Sequence, residues 1–158
     1  MANDLKPKYG SKQSITITLA SLANGSARQS TVISNVSDLW EDALVQIKAL
    51  TGGTATGPLN VYVYASSDGG TTYPDGVTGS DGAYTMYTNP GIIWLGATGY
   101  SGSGAITLVM TPRSIARAYG GKMPQYWGII VVNNTGTTLN ATGSNHDAFY
   151  QGQMHQIV

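Results

Sequence analysis

Apolar and polar residues alternate with a period of two along most of this chain. In "SITITLA", Ile15, Ile17 and Leu19 fall on one side and Ser14, Thr16 and Thr18 on the other, the pattern of a strand with one buried face. "DALVQIKAL" sets Ala43, Val45, Ile47 and Ala49 against Leu44, Gln46, Lys48 and Leu50, and "LNVYVYA" turns Leu59, Val61, Val63 and Ala65 inward. "RQSTVISNV", "AYTMYT", "GIIWLG", "AITLVM", "QYWGIIVVNN", "TTLNAT" and "HDAFYQGQMHQIV" bring the count to about eight or nine strands, divided by Gly- and Asn-rich turns. Only one-turn helical pieces are expected, around "SDLWED" and "RSIARAY".

Many short strands without a helical layer predict an all-β fold, an antiparallel β-sandwich of the jelly-roll or a related type. An immunoglobulin sandwich is the second choice, without its cysteine pair. In "IIVV", Ile129 and Val131 alternate with Ile130 and Val132, so both faces are apolar. Such a strand is expected to be central in its sheet, or covered on its outer face by another subunit. With Leu59, Val61 and Val63 inward, Tyr62 and Tyr64 are expected outward, as a sugar platform or a protein interface. Trp94, Tyr100, Tyr126 and Trp127, in or beside glycine-rich segments, either join them or pack under loops.

The chain's 158 residues suit one domain, residues 14–158, preceded by an extended N-terminal arm over residues 1–13. Charged residues make up 10% of the sequence with a formal net charge of zero, and Gly, Ser and Thr supply about a third. A surface wetted by hydroxyls and amides, without a basic patch, excludes nucleic acid as the expected main partner. No run reaches transmembrane length and residues 1–13 lack an apolar signal segment, so no membrane partner and synthesis in a cytoplasm are expected. Cysteine is absent, which removes disulfides, zinc–thiolate sites and thiol nucleophiles. Lys6, Lys8 and Lys12 cluster in the arm, either to dock on an acidic surface or as a solvated end.

The connection "ASSDGGTTYPDGVTGSDG" carries the most suggestive local motif. Ser66, Asp68, Gly70, Thr72 and Tyr73 fit the Ser-x-Asp-x-Gly-x-Thr-aromatic Asp-box, in which the aspartate caps turn N–H groups and the aromatic folds back on the base. A single copy predicts a hairpin turn between "LNVYVYA" and "AYTMYT", and no sialidase. Asp68, Asp75 and Asp81 would bind calcium only if the loop folded back to converge them, and the EF-hand spacing is missing, so no metal or other cofactor is expected. His146 and His155, nine apart, fall on opposite faces of a straight strand, which argues against a shared metal site. Neither a nucleophile elbow nor a P-loop occurs, and with Glu41 as the one glutamate a glycosidase pair depends on distant contacts. No catalytic residue is assigned, and the expectation is a non-enzymatic protein.

"AYGGKMPQYWGIIVVNNTGTTL", with "SITITLASLANGSARQSTVISN" and "NVYVYASSDGGTTYPDG", resembles small virion proteins encoded in the structural modules of tailed bacteriophages. The resemblance implies a jelly-roll accessory protein, a capsid decoration or cement protein that stabilises the head shell from its exterior. It further implies a homotrimer contacting the major capsid protein, with an arm such as residues 1–13 reaching neighbouring subunits. Lys6, Pro7, Lys8, Lys12, Tyr62 and Tyr64 are the expected interface residues. The alternative is a tail-fibre or head-fibre adsorption module that binds host surface glycans through exposed Tyr or Trp.

Overall fold

A computed structural model describes residues 4–88, 90–100 and 102–157. In chain order the first strands are β1 (Leu5–Ser14), β2 (Ala27–Gln29), β3 (Ile33–Ser34), β4 (Asp42–Thr54), β5 (Leu59–Ser66) and β6 (Gly82–Tyr84). After them come β7 (Ile93–Ala97), β8 (Ala105–Val109), β9 (Arg113–Ser114), the one-turn helix α1 (Ile115–Ala118), β10 (Tyr126–Asn133) and β11 (Asp147–Ile157). They form two antiparallel sheets, the all-β sandwich that the alternation predicts. The first runs β1-β11-β4-β8 with β9 beside β4, and the second β6-β2-β10-β5-β7 with β3 beside β10. The pairing is nested: β1 with β11, β2 with β10, β4 with β8 and β5 with β7.

Inward residues of both sheets make one core. Val45 and Ile47 of β4, Val61 and Val63 of β5, and Ile129 and Val131 of β10 are all completely buried in it. Each such side chain contributes about 1.5–3 kcal/mol when taken from water, so this layer dominates stability. Trp127 lies in the same core, edge-to-face with Tyr150 at 5.2 Å, and is no surface aromatic.

The connection from β5 onward departs from expectation. β5 sits between β10 and β7, while β6 pairs with β2 on the far side of β10, so no β5–β6 hairpin forms. Residues 67–81 cross the outer face of the second sheet to reach β6, and Ile92, just before β7, lies on that same face. Val77, Tyr84 and Ile92 from this strap pack on Tyr64, Ile130 and Val132 as a second apolar layer. β10 is therefore central, with its outer face covered by its own chain.

Two further expectations change. Around "SDLWED" the chain makes a turn and no helix: Leu39 adopts φ 54°, and the Asn35 side chain accepts from Trp40 N at 2.9 Å and donates to Trp40 O at 2.9 Å. An Asx-type clamp satisfies the backbone that a helix would otherwise pair. The extended arm is, from Leu5 on, the edge strand β1, because β11 offers it a full antiparallel ladder from Leu5↔Ile157 to Ser14↔Phe149. Met1, Ala2 and Asn3, the rest of that arm, lie outside the described residues.

Candidate functional site

β11 pairs with β4 only as far as Gln153↔Asp42, whereas its pairing with β1 continues to Ile157. Residues 5–8 and 154–157 thus form a two-stranded ribbon beyond the sheet. Cross-strand register puts Leu5, Ile157, Pro7, His155 and Tyr9 on one face and Lys6, Gln156 and Lys8 on the other. Leu5 is 66% exposed and Ile157 70%, so neither serves the core.

The base of the ribbon is clasped. The Trp40 indole lies over Gly10 of β1 and Gly152 of β11: a Cβ at Gly10 would stand 2.7 Å from the ring, and one at Gly152 would collide with it. Only glycine admits this approach. Higher up, His155 Nδ1 meets Glu41 Oε2 at 2.7 Å, and that hydrogen bond holds the Glu41 carboxyl below its ordinary range. Gln151 Nε2 donates to Gly10 O at 3.0 Å where the β1 register shifts. Between the ribbon and α1 runs a 740 Å³ groove lined by Pro7, Tyr9, Glu41, Arg117, Gln153 and His155.

The residues expected to form an interface do not come together. Lys6, Pro7 and Lys8 sit on the ribbon, and Pro7, which has no N–H, interrupts any further strand pairing there. Lys12 pairs with Asp147 and stands over the Phe149 ring, 4.3 Å from its centroid. Tyr62 and Tyr64 belong to the other sheet. Tyr62 is half-buried against the strap, and Tyr64 is completely buried, its hydroxyl donating to Ser30 O at 2.8 Å. Tyr64 also lies across Gly128, its partner on β10, where any Cβ would collide with the ring, and meets Tyr73 edge-to-face at 5.4 Å. Tyr64 is therefore removed from the interface set: the strap supplies the cover that the alternation left open.

The Asp-box residues build a turn. Asp68 Oδ1 accepts from Thr71 N at 3.1 Å and Thr72 N at 3.0 Å, Thr72 Oγ1 donates to Oδ2 at 2.5 Å, and Ser66 Oγ donates to Oδ1 at 2.5 Å. Gly70 N donates to Ser66 Oγ and the Tyr73 hydroxyl to Gly70 O. The Ser66 and Thr72 donors hold the Asp68 carboxyl far below its ordinary range. Asp75 accepts from Gly91 N, and Asp81 accepts from Arg28 Nε at 2.6 Å and from Thr18, so each aspartate fastens a different part of the strap. Burial alone would raise the Asp81 carboxyl; the bonds from Arg28 and Thr18 outweigh it and lower it. His146 contacts Asn140 O and His155 contacts Glu41, apart from one another.

A constellation missed in the sequence lies between β7 and α1. Ser114 Oγ accepts from Arg117 N at 2.9 Å and caps α1, while Asp42 Oδ1 accepts from Ala116 N at 2.9 Å and ties that turn to β4. Trp94, Pro112, Arg113 and Arg117 line a 590 Å³ cleft there, with Leu44 and Ile93 also contributing. Trp94 is 56% exposed. The signal available beforehand was the i, i+4 spacing of Arg113 and Arg117 in "RSIARAY"; their meeting with Trp94 is a product of the fold.

No protein-family model, no curated protein and no solved structure matches the chain.

Proposed function

We propose that this chain is a virion structural protein of a tailed bacteriophage, a jelly-roll decoration or cement protein on the capsid exterior. It works through protein–protein contacts with the major capsid protein and with its own copies in a homotrimer. The observation that carries the reading is the clasped ribbon. A sandwich that buries its own core has no need of Leu5, Tyr9 and Ile157 on a projecting pair of strands, but a protein that bridges neighbours does. The jelly-roll assignment is supported by the nested pairing of first strand with last, divided between two sheets.

Mechanically, the ribbon's apolar face covers a seam between shell subunits, and the outer face of the first sheet is free for contacts between copies. The test is to mix the purified protein with expanded empty capsids and measure bound stoichiometry and shell melting temperature. Saturable binding with a raised melting temperature is expected, abolished by Leu5→Asp with Ile157→Asp. Binding to host cells with no affinity for shells would make the chain an adsorption module instead. Native mass spectrometry of the free protein tests the trimer.

A further inference from the structure

We infer that the cleft between β7 and α1 binds a carboxylate-bearing saccharide, with the sugar stacked on the Trp94 indole and the carboxylate held by Arg113 and Arg117. The chain has three arginines, and Arg28 is neutralised by Asp81. Arg113 and Arg117 have no carboxylate within ion-pair distance among the described residues, yet both line one cleft. Two like charges in one concavity repel each other until an anion joins them. In a chain with only 10% charged residues, their convergence is not a consequence of general abundance.

The nearby acids are occupied. Glu41, in the adjoining groove that Arg117 also borders, is held by His155, and Asp42 accepts from Ala43 N and Ala116 N. The arginines are also positioned. The Arg113 side chain lies against Gly96 of β7, where a Cβ would stand 3.0 Å from its Nε, and the Ser114 cap fixes the turn that carries Arg117. Guanidinium groups offer the planar donor forks that a carboxylate accepts in pairs.

Trp94 selects the rest of the ligand. Trp94 borders the same cleft as the two arginines and is 56% exposed, which suits a molecule with one apolar face and one anionic group, as a uronic or sialic acid residue has. An acidic peptide added as a strand fits less well, because the β5–β7 register shifts between Val61 and Tyr62 and spoils the ladder next to Trp94. The three ligand-binding side chains, Trp94, Arg113 and Arg117, lie neither on the ribbon nor among the outward residues of the first sheet, although Leu44 borders the cleft and Arg117 also borders the ribbon's groove.

The test is isothermal titration of the full chain with trigalacturonate, a neutral galactose trisaccharide, inorganic phosphate and oligoglutamate, followed in parallel by tryptophan fluorescence. Trigalacturonate is expected to bind at least about tenfold more tightly than the other three and to change the emission. Arg113→Gln with Arg117→Gln, and separately Trp94→Ala, should each weaken binding about tenfold or more, while Lys122→Gln leaves it unchanged. In the unmodified protein, the indole N–H of Trp94 should shift on titration by NMR, which serves should a variant fail to fold. No binding, equal binding of the neutral sugar, or phosphate or oligoglutamate bound as tightly as trigalacturonate would each overturn the assignment. So would full affinity in a double arginine variant that melts like the parent.

Discussion

The two sheets share one core but treat their outer faces differently. On the second sheet, Tyr64, Ile130 and Val132 point away from the core and are still buried, because Val77, Tyr84 and Ile92 pack over them. On the first sheet, Leu44, Gln46, Lys48, Phe149, Gln151, Thr107 and Val109 face outward with no strap above them. One sheet is thus covered on both sides within a single chain, and the other keeps one face for water or for neighbours. The strap's own composition explains how it can do this. Val77, Tyr84 and Ile92 face the sheet with Tyr73 and Met86 partly buried beside them, Asp68 and Asp75 fasten turns within the strap, and Asp81 ties it to Arg28 and Thr18.

This contrast makes graded predictions. Ile130→Ala should cost about 2–5 kcal/mol in urea denaturation, as a core truncation does; a loss below 1 kcal/mol would show that the strap does not seal that face. Gly128→Ala should cost about 1–3 kcal/mol through its collision with Tyr64, and much less when combined with Tyr64→Leu, a coupling that a double-mutant cycle measures. Tyr64→Phe should cost about 1 kcal/mol for the lost bond to Ser30.

The same tyrosine predicts a pH dependence. Burial pushes its hydroxyl up to about 12, whereas the unfolded chain ionises near an ordinary value of about 10. The stabilisation is complete below about pH 10 and is lost as the pH rises toward about 12. Tyr64→Phe should make the alkaline fall in stability shallower; the residual slope belongs to Tyr73, Tyr84, Tyr119 and Tyr150, also raised by burial. The smallest effect belongs to the open face: Val109→Ser should change stability by less than about 0.5 kcal/mol. If that face joins copies, the same substitution will shift the oligomer equilibrium by analytical ultracentrifugation.

Much of this was legible along the chain and some was not. The inward sets on β4 and β5 were readable because alternation is a local property with a fixed period. The two-sided apolar pattern of "IIVV" was readable as well, as a central strand or one covered by another subunit; the strand is central and its cover comes from the same chain. Tyr64 points outward as the alternation predicts but is not free, because the pattern gives the face of a strand and says nothing of what lies over that face. The ribbon was misread as an arm because β1 finds its partner in β11, more than a hundred residues away. The closeness of Gly10 and Gly152, with Trp40 over both, likewise arises only once β1 and β11 are paired.

The sequence by itself determined the class of fold, the inward residues of β4 and β5 and the turn chemistry of Asp68 with its donors. Each depends on residues within a few positions, where backbone geometry fixes the reach of a side chain. The tertiary structure alone decided that the strap covers one sheet, that the ribbon projects, and that Trp94 meets Arg113 and Arg117 in a cleft. These depend on which strands become neighbours, and that choice is made by the joint burial of apolar surface over the whole chain, which no local window contains.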